Sequence, residues 1–234
     1  MSSAMRWIAD AWWRLVRFGF RLLYNEMAFT YDTVSRIVSR GAWRDWQRAV
    51  FEFLPPPESS VSVLEIAHGT GDLQIDLHER GYHAIGYDLS PYMGRITTRK
   101  LRKKSIIPRL ARGLAQALPF PDSCFPAVVV TFPTHFIFDG RTLREVWRVL
   151  HPDGLLIAVL NGELTGSGFV DRAIERLYAI TGQRPREDDE NQQADRQIIA
   201  LLAGYGYEAN LHIISLERSA VTVLIARKIP LARD

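Results

Sequence analysis

The stretch "VSVLEIAHGTGDLQIDL", residues 61–77, decides how the rest of this 234-residue chain is read. Val61–Ile66 is a branched apolar run of strand length. From Asp72 the apolar spacing turns helical. Between them Ala67, Gly69 and Gly71 are small. A strand, a small-residue turn and a helix in that order build a ligand site at the carboxyl edge of a parallel sheet. Gly69 and Gly71 carry no Cβ, so the backbone there can approach a ligand closely. What the turn lacks narrows the ligand. A G-x-G-x-x-G reading fails in both registers, ending on Asp72 or on Gln74. No Gly-Lys-Ser/Thr follows, which removes the P-loop.

Two acids frame the turn. Glu65 sits near the end of the first strand. Asp88 follows the second strand in "AIGYDLSPYM", residues 84–93. An acid at that position can hold both hydroxyls of a ribose, and by itself it would serve equally well as a helix cap. Beside a glycine turn, the pair fits an adenosine with an amino-acid tail. The ribose lies on Asp88, the tail along Gly69–Gly71 and the ammonium toward Glu65.

Outward from this stretch, strands and helices alternate as in a parallel sheet with crossover helices. Strands are expected at Val61–Ile66, His83–Tyr87, Ala127–Thr131 and Leu155–Leu160. Helices are expected at Asp72–Arg80, Tyr92–Lys103 and Arg141–Leu150. Gly81 stands where a helix C-cap is wanted, and Pro152–Asp153–Gly154 reads as a turn. Residues 161–168 read as a polar loop, Phe169–Ile180 as a helix, Arg184–Asn191 as a charged loop and Gln193–Ala203 as a helix. Tyr207–Leu216 and Ala220–Arg227 close the chain as a hairpin, which a purely parallel sheet would not have.

Four stretches carry a family resemblance: "VLEIAHGTGDL", "AIGYDLSPYM", "ARGLAQALPFPDSCFPAVVVTF" and "LREVWRVLHPDGLLIAV". In order and spacing, over residues 61–160, they resemble the class I S-adenosylmethionine-dependent methyltransferases. "LLYNEMAFTYDTVSRIVSRGAWRDWQR", residues 22–48, is similar to the N-terminal helices of the ubiquinone/menaquinone-biosynthesis type. The resemblance implies an α/β, doubly wound, Rossmann-like seven-stranded mixed sheet with its last strand antiparallel and an N-terminal helical cover. It implies S-adenosylmethionine as cofactor, S-adenosylhomocysteine as product, and a small or lipophilic methyl acceptor. Glu65, Ala67, Gly69 and Gly71 would border the methionine part. Asp88 would bind the ribose, Leu89 would pack on the adenine, and Ala115 with Gln116 would lie at the adenine edge. Thr131 and Phe132 would stand near the methionine end, with Tyr24 and Tyr31 in the cover. Two positions depart from the family pattern: Ala67 replaces the first glycine of the turn, and Leu114 stands where relatives usually carry an acid for the adenine amino group. These departures keep a rival alive, a protein that binds the cofactor without transferring a methyl.

The sulfonium donor is already activated, so alignment of the acceptor supplies most of the catalysis, and a base is needed only if the acceptor must lose a proton. His135, in "TFPTHFIFDG" after the fourth strand, is the candidate base; a solvent-facing loop histidine is the more ordinary reading. His68, inside the glycine turn, is expected to pack behind it. The histidines show no zinc spacing, so no metal is expected.

The boundary falls at the Pro55–Pro56–Pro57 run, giving residues 1–57 as a helical lid and 58–234 as the methyltransferase domain. Five of the six tryptophans lie in residues 1–50. Residues 4–24 read as a helix with Arg6, Asp10, Arg14, Arg17 and Arg21 along one face. That pattern suits a lid, a membrane-surface helix, or both, and a membrane-interaction protein is a further alternative. A net charge of +3 and a single cysteine, Cys124, exclude a disulfide framework and argue against nucleic acid. No secretory leader and no apolar run long enough to span a bilayer are read. The expected setting is cytoplasmic, peripheral at the inner membrane surface if the helix docks there. Oligomeric state is not legible.

Overall fold

A computed structural model describes residues 39, 41–57, 62–165 and 188–229. Tyr24 and Tyr31, and the helices expected over 4–24 and 169–180, lie outside them.

The elements are α1 (Trp43–Arg48) with a 3-10 turn (Ala49–Glu52), β1 (Ser62–Ile66), α2 (Asp72–Glu79), β2 (His83–Asp88) and α3 (Pro91–Lys103). β3 (Leu110–Arg112), β4 (Phe125–Thr131), a 3-10 turn (His135–Phe138), α4 (Gly140–Val149) and β5 (Leu150–Leu164) follow. α5 (Asp188–Ala203), β6 (Tyr207–Leu216) and β7 (Ser219–Lys228) complete the series. Seven strands form one sheet in the order β3-β2-β1-β4-β5-β7-β6. β1 to β5 pair in parallel, and β7 runs antiparallel to both β5 and β6. The expected fold class is the one observed.

The chain enters at β1, winds out to the β3 edge and returns to β4 on the other side of β1. That reversal opens a crevice at the carboxyl ends of β1 and β4, where ligands bind in open α/β sheets. Both sheet faces are buried, so the central strands are apolar throughout rather than alternating. On one face Val63, Ala127, Val129, Ile157 and Val159 pack with Leu73 and Leu77 of α2 and with Trp46 and Val50. On the other, Leu64, Ile66, Val128, Val130 and Leu156 pack with Leu143 and Val146 of α4 and Leu202 of α5. Residues 43–54 thus share the core of the sheet.

Trp46 is the anchor of that segment. Its Nε1 donates to Ser219 Oγ at 2.9 Å, and its ring fills the space where a Cβ on Gly162 would stand, 2.7 Å from Cε2. Arg44 and Arg48 each donate two hydrogen bonds, at 2.9–3.1 Å, to the buried carboxylate of Asp76 on α2.

Three expectations are corrected. Residues 161–164 are not loop: they extend β5, pairing Asn161 with Thr222 through Leu164 with Ser219. The sequence looks polar there because Asn161 and Glu163 alternate outward, exposed, where β5 runs on beside β7 and β6. Residues 188–191 are not loop but the first turn of α5. The turn at Pro152–Asp153–Gly154 lies inside β5 as a bulge. Phe125 pairs with Leu150 and Ala127 with Leu155, so the extra residues loop out, with Asp153 at φ 61°. β3, three residues on the sheet edge, is too short to show a periodicity and was not expected.

Candidate functional site: the crevice at the ends of β1, β2 and β4

The turn after β1 is held by backbone conformation that few side chains adopt. Ala67, Gly69 and Gly71 have φ of 56°, 53° and 83°. Ala67, in the position of the family's first glycine, therefore carries left-handed strain that a glycine would not. Its N–H donates to Tyr87 O at 2.7 Å, which ties the turn to β2. Gly69 faces open space, with no atom within 4 Å of where a Cβ would be. That is room for a ligand against bare backbone. Gly71 is the reverse: a Cβ there would lie 2.8 Å from Thr97 Oγ1 and nearer still to its methyl.

Asp88 joins the turn to the next loop. Its Oδ2 accepts from Gly69 N–H at 3.0 Å and its Oδ1 from Ser90 N–H at 2.7 Å. The carboxylate is thereby fixed at the end of β2, beside the glycine turn, as the sequence reading required. His68 is buried and packs behind the turn. Its Nδ1 lies 2.9 Å from Gly69 O, and Thr97 Oγ1 donates to the same oxygen at 2.8 Å. Burial lowers the His68 pKa below the usual histidine range.

Glu65 is 1% exposed on β1 and faces α2. Gln74 Nε2 donates to its Oε2 at 2.7 Å. Burial pushes the Glu65 carboxyl up to about 8, against the lowering effect of that hydrogen bond. A carboxyl of this kind rests neutral at pH 7 and ionises when a cation approaches.

Among the residues expected at the adenine, Leu89 is 56% exposed, Ala115 is buried and Gln116 half-buried, and Leu114 beside them is 54% exposed. Tyr87 O–H reaches the carbonyls of Leu114 and Ala117 at 3.4 and 3.3 Å, pinning residues 114–117 beside β2. Sequence reasoning missed this tyrosine, although its side chain also occupies the space beside Gly113.

At the end of β4, Thr131 is buried and Gln47 Nε2 donates to its Oγ1 at 3.3 Å. Phe132 has φ 51° and stacks on Trp43, ring centroids 4.1 Å apart. Sequence reasoning missed the roles of Gln47 and Trp43. The tryptophan-rich N-terminal composition was the available signal. The crevice is thus bordered by two non-glycine residues in left-handed conformation, Ala67 and Phe132, each worth about 1–3 kcal/mol of strain that surrounding contacts must offset. His135 is exposed at the start of the 3-10 turn after β4. Glu65, Ala67, Gly69, Gly71 and Asp88 stand together at the adjacent ends of β1 and β2, with Thr131 and Phe132 across the crevice on β4.

A methyltransferase-domain family matches residues 64–158. The chain is 36% identical over 140 residues to a demethylmenaquinone methyltransferase of Thermus thermophilus, covering 58% of this chain and 63% of that one. It is 36% identical over 160 residues to the Deinococcus radiodurans protein of that name, covering 67% and 65%. A ubiquinone/menaquinone biosynthesis C-methyltransferase of Pectobacterium carotovorum is 32% identical over 143 residues, covering 58% and 57%. The chain therefore spans somewhat under two thirds of the length of these relatives. Among solved structures, geranyl diphosphate C-methyltransferase from Streptomyces coelicolor shares the fold with a TM-score of 0.56 at 12% identity, covering 78% of each chain. An S-adenosylmethionine-dependent methyltransferase from Methanosarcina mazei gives 0.53 at 20%, covering 77% of this chain and 97% of that one. The sheet order, the glycine turn with its acid partner and the match over residues 64–158 agree on a class I methyltransferase domain in this part of the chain, similar in sequence to the methyltransferases of ubiquinone/menaquinone biosynthesis.

Proposed function

We propose that the protein transfers a methyl group from S-adenosylmethionine to a small lipophilic acceptor of quinone type. The observation that carries this is the Gly69–Asp88 hydrogen bond, which places an open backbone cradle and a fixed carboxylate side by side at the sheet's switch point.

The residues fit the cofactor. Asp88 would accept from the ribose hydroxyls while keeping its bonds to Gly69 and Ser90. The exposed faces of Leu89 and Leu114 suit the two sides or rim of an adenine ring, with an apolar contact in place of an acid. The methionine end would run over Gly69 toward Glu65, whose buried carboxyl becomes a carboxylate opposite the ammonium. Bound in this way, the cofactor supplies an already activated methyl on a sulfonium. The protein's part is to hold donor and acceptor in line and keep water out, which can lower a barrier by about 7–11 kcal/mol.

The names of the relatives support a lipophilic acceptor. His135, on the β4 side, is proposed as the group nearest the acceptor able to take a proton. Residues 4–24, with Tyr24 and Tyr31, are proposed to cover this face as a lid and to meet a membrane surface. The protein would then work in the cytoplasm at the inner membrane face. The division at residue 57 is proposed from the Pro55–Pro56–Pro57 run, with residues 43–54 packed onto the sheet of the part that follows. The test is methyl transfer from labelled S-adenosylmethionine to a demethylated naphthoquinone, with a water-soluble phenol for comparison. Label in the quinone alone supports the reading. Label in neither, with cofactor bound, refutes it.

A further inference from the structure

Positive charge is concentrated in one part of this chain. Residues 91–112 hold eight of its 29 Lys and Arg and none of its 26 Asp and Glu. The chain's net +3 therefore divides into +8 in this segment and −5 elsewhere. The structure turns the segment into a surface. α3 buries Met93, Thr97 and Leu101 on one stripe. Arg95, Arg99 and Arg102, spaced by four and three, lie on the opposite side, all exposed. Arg112 on the edge strand β3 and Lys103 extend the patch. These five line an open groove of about 770 Å³ between α3 and β3, which runs on to His68, Asp88 and Ser90 at the crevice. Among the described residues none of the five is paired with a carboxylate: Arg95 Nε donates to Pro91 O and Arg112 Nε to Leu89 O. At the rim, Ile107 is 80% exposed and Tyr92 38%.

We propose that this face, α3 with β3 and the loop joining them, docks onto an anionic lipid bilayer. The cations are exposed and held by no rigid network. That suits a diffuse negative surface better than one small anion, which calls for buried, fixed donors. Ile107 supplies an apolar side chain to enter the headgroup layer. A nucleic-acid groove would interleave aromatics with the cations. The only aromatic here is Tyr92, already under the Arg95 guanidinium at 4.7 Å. The face lies on the β3 edge, where Arg112 is in register with Asp88, so it adjoins the β2 side of the crevice, while the end of β4 lies three strands away. The proposal rests on surface charge and not on methyl transfer, so either reading can fail alone.

The test is co-sedimentation of the full chain with vesicles of phosphatidylcholine alone and of equal parts phosphatidylcholine and phosphatidylglycerol. Binding to the mixed vesicles only, weakening as salt rises, is expected. Each cation at an anionic surface is worth about fivefold in partitioning, so R95Q/R99Q/R102Q should bind about a hundredfold more weakly. R144Q/R196Q/R218Q, which removes the same charge from exposed positions elsewhere, should lose far less. Thermal melts of both variants check folding. Hydrogen exchange of the unaltered protein with mixed vesicles gives a reading independent of any variant, with protection expected across residues 91–112. Equal binding to both vesicle types, equal loss in both triple variants, or protection confined to other segments would each overturn the proposal. So would binding to single-stranded RNA, and not to vesicles, that R95Q/R99Q/R102Q abolishes.

Discussion

The turn after β1 allows the same substitution to be made at two glycines of like conformation and different surroundings. Gly69 and Gly71 both have positive φ, so alanine at either position carries left-handed strain of about 1–2 kcal/mol. At Gly69 nothing is added to that strain, because nothing lies within 4 Å of the new Cβ, and the lower entropy of the unfolded alanine chain offsets about 0.4–1 kcal/mol of it. At Gly71 the Cβ runs into Thr97, at 2.8 Å from Oγ1 and 2.9 Å from Cβ. Thr97 cannot swing aside without giving up its hydrogen bond to Gly69 O. Overpacking of this kind adds about 1–3 kcal/mol, so with the same unfolded-chain offset G71A should cost about 1–4.5 kcal/mol in all. At about 2–4 °C per kcal/mol for a chain of this length, G69A should lower Tm by at most a few degrees and G71A by about 2–18 °C. Adding T97S removes the methyl that the new Cβ meets first and should return at least about 0.5 kcal/mol to G71A, a coupling measurable in a double-mutant cycle. Ala67→Gly tests the same reasoning in reverse. It releases the strain at φ 56° but frees the unfolded chain by about 0.4–1 kcal/mol, so it should be neutral to about 1 kcal/mol stabilising. Urea unfolding followed by circular dichroism reads the unaltered protein and all five variants, T97S alone included. If G71A is no less stable than G69A, the packing of the turn against α3 is not as described.

Glu65 should make stability fall as pH rises. Its folded pKa, pushed up to about 8, lies above the unfolded value near 4.3, so the folded state binds the extra proton. The contribution is complete below about pH 4, lost progressively up to about 8 and flat above, amounting to about 3–5 kcal/mol. E65Q should flatten unfolding free energy against pH across that window, and an unchanged slope would show the carboxyl is ionised throughout. Asp76 has the opposite sign. Burial raises its pKa, but the hydrogen bonds from Arg44 and Arg48 outweigh this and hold it below the usual range. Its contribution is present at neutral pH and lost as pH falls through and below about 4. Since both arginines are partly in water, D76N should cost about 2–4 kcal/mol at pH 7, and a loss under about 0.5 kcal/mol would mean residues 43–48 are held by Trp46 alone. Asp88→Ala should weaken S-adenosylhomocysteine binding by about a hundredfold or more, from two lost hydrogen bonds to a charged group; calorimetric titration giving an unchanged affinity would place the ribose elsewhere.

Much of the sheet, and the placing of Asp88 beside the glycine turn, were legible because their signals are local. The run Val61–Ile66, the small residues after it and Asp88 nineteen residues beyond Gly69 declare a strand, a turn and a partner acid without tertiary information. The hairpin of β6 and β7 showed as two long strands around a polar turn. What was not legible depends on contacts between distant segments. Trp43 stacks on Phe132, Gln47 donates to Thr131, and Gly162 makes room for Trp46; none of these pairings leaves a mark in either segment alone. Residues 161–164 were hidden because an exposed strand extension has a loop's composition. β3 was hidden because three residues carry no period.

The central claim is that the crevice holds an adenosyl amino acid over Gly69. It is tested most directly by calorimetric titration of the full chain with S-adenosylmethionine and S-adenosylhomocysteine, with NAD as control, in two buffers of different ionisation enthalpy. The expected result is binding of both sulfur compounds, none of NAD, and a buffer-dependent heat showing that Glu65 releases a proton as the ammonium arrives. Binding of NAD, or of neither sulfur compound, would contradict it.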